Sequence, residues 1–183
     1  SGDATTASDL GYWLRTGGAQ RLVARENGSV AGMPAAARFS TLAGVATLEA
    51  GGVYALAGTL KTNKALGITT ANDTGIWGTF GSVPGILARE GSAAPGSADG
   101  GVFDTLTAAS LASNGAGQLG FSGAMKVAGS ITSANRYGLW LQDPGQSGLV
   151  ARGGSAAPGT AAGTLFAQPL QASLGEGVMV FRA

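Results

Sequence analysis

Trp13, Trp77 and Trp140 stand 64 and 63 positions apart, and Arg25, Arg89 and Arg152 keep the same two steps. One tryptophan per unit could offer a flat apolar face to a sugar ring, and one guanidinium per unit could clasp an anion through paired N–H bonds. Plainer roles compete with this ligand-binding reading. A tryptophan flanked by glycine and apolar residues packs as a core or sheet-edge aromatic. An arginine closing a strand bonds loop carbonyls or a nearby acid such as Glu26 or Glu90. The third unit has Gly153 where the others have glutamate, so that acid is not common to all three.

The residue types that carry most hydrolytic and metal chemistry are missing. The chain has no histidine and no cysteine, which removes Ser-His-Asp and Cys-His nucleophiles and every metal site built on imidazole or thiolate. Calcium loops of the D-x-D-x-D-G kind are also absent. The 10 acidic residues are scattered singly, mostly in turns, whereas glycoside hydrolysis needs two carboxylates about 5–10 Å apart. Asp9 and Asp73 occupy matching turns, but Arg136 takes that place in the third unit. The chain therefore reads as non-catalytic, with no cofactor and no metal.

Length and composition bound the class. A chain of 183 residues, 44% hydrophobic and 11% charged, buries a sizeable core and is not disordered. Thirty-three glycines favour turns and closely packed strands over helices, where each costs about 1 kcal/mol. Eleven basic and 10 acidic residues give a net charge of +1, without the basic patch that nucleic acid requires. No apolar stretch approaches the ~20 residues of a membrane helix, so membrane insertion is not expected.

The positioning elements repeat. "GYWLR" at 11–15, "GIWGT" at 75–79 and "GLWLQ" at 138–142 align, as do "LVAR", "ILAR" and "LVAR". "GSVAG", "GSAAPG" and "GSAAPG" start at Gly28, Gly91 and Gly154, and Phe39, Phe103 and Phe166 follow. Such a period is the mark of a repeat architecture. The second unit reads as four strands: "GIWGTF", "GILARE", "FDTLTAASLA" and "QLGFSGAMK". Asn114-Gly115 predicts a type I′ hairpin between the last two. In the fourth strand Leu119, Phe121, Gly123 and Met125 alternate with Gly120, Ser122 and Ala124, the period of a strand with two unlike faces. Leu56, Phe121 and Phe181 correspond across the units.

The ends fit each other. Residues 4–13, "ATTASDLGYW", match the segment that leads into Trp77 and Trp140, a continuation the third unit lacks after Phe181. The units are repeat 1 over 11–74, repeat 2 over 75–137, and repeat 3 over 138–183 completed by residues 1–10 of the same or a neighbouring chain, all in one domain over 1–183. Strand pairing of Ala4, Thr5, Thr6, Ala7, Ser8 and Asp9 beside Gly177, Val178, Met179, Val180, Phe181 and Arg182 would cover the open sheet edge.

These residues resemble a family of bacterial tandem-repeat proteins with an N-x-x-G-x-x-A-F motif and a "VAREGD-x-A-P-G" loop. Asn114, Gly117, Gly120 and Phe121 match the first motif, with glycine replacing alanine; "LAREGSAAPG" and "VARGGSAAPG" match the second, with Ser92 and Ser155 in place of aspartate. The resemblance implies a secreted or surface-displayed bacterial protein of propeller-like blades, and brings no catalytic residues.

The expected fold is all-β, with four-stranded propeller-like blades closed by a terminal strand; a single-chain threefold β-trefoil or β-prism is the alternative. Propellers close with 4–8 blades, so three per chain point to completion by another copy as a ring or filament. The expected function is structural self-assembly. The alternative is a lectin-like module that binds glycans through Trp13, Trp77, Trp140, Arg25, Arg89 and Arg152.

Overall fold

The computed structural model describes residues 10–49, 53–80, 83–107, 110–143, 146–175 and 178–183. The strands are β1 (Gly11–Thr16), β2 (Ala19–Arg25), β3 (Phe39–Glu49), β4 (Val53–Leu60), β5 (Thr74–Phe80), β6 (Val83–Arg89), β7 (Phe103–Leu106), β8 (Ala112–Ser113), β9 (Leu119–Met125), β10 (Tyr137–Asp143), β11 (Gln146–Arg152), β12 (Leu170–Gly175) and β13 (Val178–Arg182). One short 3₁₀ turn covers Lys64–Leu66. No described helix is long and apolar enough to cross a membrane.

The chain is all-β and antiparallel. Its strands form a two-stranded sheet β1-β2, a four-stranded sheet β3-β4-β5-β6, a sheet β11-β10-β9-β7 in which β8 also pairs with β9, and a two-stranded sheet β12-β13. No described sheet closes on itself as the barrel of a trefoil does. Strands form in all four segments expected in the second unit, but they do not share a sheet: β6 pairs with β5, which pairs with β4, whereas β7 and β8 pair with β9, which pairs with β10. Each of the two larger sheets therefore joins the last strands of one sequence unit to the first two of the next.

Side-chain size explains how the sheets stack. On β4, Leu56 points with Trp77 into a cluster that includes Tyr12 and Leu14 of β1, while Ala55, Ala57 and Ile76 pack with Phe103, Phe121 and Trp140 of the next sheet. At the second of these contacts a bulky face thus meets a small one, which brings the two sheets close together. On β9 the alternation read from sequence is present, but both faces are buried. A Cβ on Gly120 would lie 3.0 Å from Met179 Cε and 3.4 Å from Leu174 Cδ1, so the β12-β13 hairpin covers this small face.

Two local expectations are corrected. The Asn114 turn is not a two-residue I′ hairpin: its left-handed residue is Gly117, with φ 81°. The Asn114 side chain instead accepts from the N–H groups of Ala116 and Gln118, at 3.1 and 3.0 Å, and so builds a longer loop. The expected third strand is interrupted: between the segments of β9 that pair with β7 and with β8, the Ser122 N–H donates to Ser110 Oγ instead of to a strand carbonyl.

The loop after β2 also matches its counterparts differently. Asn27, Gly91 and Gly154 share left-handed φ values of 60°, 80° and 78°, and their N–H groups donate to Phe39, Phe103 and Phe166 carbonyls. Asn27, not Gly28, is the counterpart of Gly91. Asparagine tolerates this conformation, so the identity of the residue masked its position.

Candidate functional site

The recurring tryptophans sit in one local geometry. Each follows a shift in strand register, between Tyr12/Trp13, Ile76/Trp77 and Leu139/Trp140. Each ring lies over the glycine two positions earlier, where a Cβ would come within 2.9, 2.8 and 2.6 Å of the indole at Gly11, Gly75 and Gly138. Only glycine admits that approach, which is why "G-x-W" recurs.

Their surroundings differ. Trp77 and Trp140 are 2% and 0% exposed, whereas Trp13 is 61% exposed. Trp140 meets Phe103 edge-on at 4.8 Å and stacks on Phe121 at 6.0 Å, and its Nε1–H donates to the Pro95 carbonyl at 3.0 Å. Trp77 meets Phe39 edge-on at 5.0 Å. Two of the three rings expected as ligand platforms are core residues that offer no face to a sugar.

The arginines are structural ties where their contacts are described. Arg89 Nε donates to the Asn72 carbonyl at 2.7 Å and Arg152 Nε to the Asn135 carbonyl at 2.6 Å, each fastening a strand end to the turn before the tryptophan strand. Arg152 also grips both carboxylate oxygens of Asp99, at 2.8 and 3.1 Å. Hydrogen bonds from Arg152 and then Ser130 hold the Asp99 carboxyl down at about 2. Burial pushes Glu90 up despite the bond it accepts from Thr74 N–H. Neither Glu26 nor Glu90 forms an ion pair with these arginines among the described residues. No described group of three acidic, histidine or cysteine side chains could hold a metal.

Three features lack, among the described residues, the partner that their repeat counterparts have: the edges of β1 and β13, and one hollow. β4 pairs with β5, and β9 with β10, by setting Leu56 opposite Trp77 and Phe121 opposite Trp140. The corresponding strand β13 pairs with β12 alone, and the corresponding β1 with β2 alone, among the described residues. Val178 and Val180 of β13 are 59% and 67% exposed. A hollow of about 850 Å³ opens between β11, the loop 153–165 and the end of β13. Residues 4–9 and Gly177 of the expected assembly strip lie outside the described residues. The segments one repeat step later, 68–73 and 131–136, form the turns that lead into β5 and β10.

A family model described as a family of unknown function, DUF7453, matches residues 1–154. The chain belongs to this family. No curated protein and no solved structure matches it. The DUF7453 match runs through Trp13, Trp77 and Trp140, and so through all three copies of the "G-x-W" geometry.

Sequence reasoning about this DUF7453 chain located the tryptophans and arginines but missed the hollow. Pro158, Phe166, Phe181 and Ala183 line it, and they are the repeat counterparts of Pro95, Phe103, Phe121 and Gly123. The signal was present in the repeat itself. Reading it required knowing which strands share a sheet.

Proposed function

We propose that this chain is a non-catalytic structural protein that self-associates head to tail, the β1-β2 hairpin of one copy completing the β12-β13 hairpin of another into a four-stranded sheet. The carrying observation is the register of the two internal junctions. Translated by one repeat, it sets Phe181 opposite Trp13, Val180 opposite Leu14, Met179 opposite Arg15 and Val178 opposite Thr16. An edge strand with free N–H and C=O groups gains main-chain bonds from such an addition, and the pattern of apolar residues fixes its register.

The sheets then act as propeller-like blades, two complete and two half-formed per chain, arranged in a ring or filament of copies. The strip is centred on β1, the counterpart of β5 and β10, which residues 4–9 directly precede in the chain. The resemblance of the repeats to secreted bacterial proteins supports an extracellular or cell-surface setting. The burial of Trp77 and Trp140 leaves the glycan-binding alternative without its repeated platform.

Light scattering across a concentration series tests the reading. Species of two or more chains that dissociate on dilution are expected. A protein that stays at 17.8 kDa at every concentration refutes it.

A further inference from the structure

Resting on the head-to-tail reading, we propose that the hollow beside β11 is a socket for the indole of Trp13 from a second copy of this chain. The hollow is lined by Val150, Ala151, Ala157, Pro158, Phe166 and Phe181. One repeat step earlier stand Leu87, Ala88, Ala94, Pro95, Phe103 and Phe121. Of these, Ala88, Ala94, Phe103 and Phe121 are buried with Trp140 in one core cluster, with Leu87 packed against it, and the Pro95 carbonyl accepts the Trp140 indole N–H. The hollow therefore repeats the walls of a pocket that holds tryptophan elsewhere in the same molecule. Its Phe166 and Phe181 rings already meet edge-on at 5.7 Å, and the Pro158 carbonyl stands where the indole acceptor belongs.

The incoming group is preformed. Trp13 lies over Gly11 just as Trp77 and Trp140 lie over Gly75 and Gly138, so it needs no rearrangement to enter, which lowers the entropic cost of docking.

A second contact falls in the same register without being required by the first. A Cβ at Gly32 would lie 3.2 Å from Ile86 N, and one at Gly96 would lie 2.8 Å from Leu149 N, whereas Gly159, with a similar φ of 77°, has nothing within 4 Å. Ile86 and Leu149 are the residues opposite Trp77 and Trp140. The residue opposite Trp13 is Leu22, which is exposed. Seating Trp13 in the socket would bring Leu22 against Gly159, closing both open contacts at once.

The test uses two variants, Trp13→Ala, which removes the knob, and Ala157→Arg, which puts a charge in the socket from a partly exposed loop position. Circular dichroism checks that each is folded. Each alone is expected to associate about thirtyfold more weakly than the native chain or worse, the loss of a central aromatic anchor. Mixed in equal amounts they are expected to form one-to-one pairs, because one brings an intact socket and the other an intact knob. Variants that assemble as the native chain does would overturn the socket while leaving head-to-tail association standing. A mixture that stays monomeric would also overturn it. A native chain that is monomeric throughout would overturn both.

Discussion

Trp77 and Trp140 occupy equivalent places with unequal hydrogen bonding. The Trp140 indole N–H has the Pro95 carbonyl at 3.0 Å, whereas the buried Trp77 Nε1 has no partner among the described residues. Its counterpart loop has Ala31 where Pro95 stands. Trp140→Phe removes a satisfied bond and orphans a carbonyl; Trp77→Phe removes a donor that was already costly to bury. Denaturant unfolding is expected to show Trp140→Phe losing about 1–2 kcal/mol more than Trp77→Phe. Asp99 supplies a second test at this scale. Its folded pKa of about 2 lies below the usual 3.8, so the stability it contributes is complete above the unfolded value and is lost as pH falls through the folded one. Asp99→Asn should lower the thermal-stability profile above about pH 4 and flatten its acid limb, so that variant and native profiles converge as pH falls to about 2.

Among the elements, the close stacking of sheets depends on one small face per strand. A Cβ at Gly120 would meet Met179, Leu174 and Ala172 across the gap to β12-β13. Gly120→Val overfills that gap, and a loss of about 1–3 kcal/mol is expected. Hydrogen exchange should quicken in β12 and β13 before it does in β3–β6, because the hairpin is held to the core through this face. The period, the strand positions and the bulky-small alternation were all legible from Trp, Phe and Gly spacing. Sheet membership was not. The connections 61–73 and 90–102 are both thirteen residues long, so length alone does not tell which joins strands within a sheet. The Asn114 turn misled for another reason: asparagine bonds forward to backbone N–H groups as readily as it adopts φ > 0. The exposure of Trp13 was illegible in principle, since its sequence context equals that of two buried tryptophans.

For the whole molecule, three sheets' worth of strands per chain and a heterologous contact allow either a closed ring or an open filament. On the propeller reading the choice narrows, because rings close with 4–8 blades. One copy gives three blades and three copies give nine; two copies give six. The expected assembly is therefore a discrete species of twice 17.8 kDa that stops growing with concentration, whereas a filament would lengthen without limit. Its response to salt follows from the register. Arg15 falls opposite Met179 and Arg182 opposite Tyr12, so no opposite charges are paired across the junction among the described residues, and screening has nothing favourable to weaken there. The dimer should persist at about 1 M salt, where the screening length falls to about 3 Å, and should yield to mild urea, which solvates both the apolar faces and the main-chain edges that hold it. Dissociation by salt alone would mean that charge, not strand addition, joins the copies.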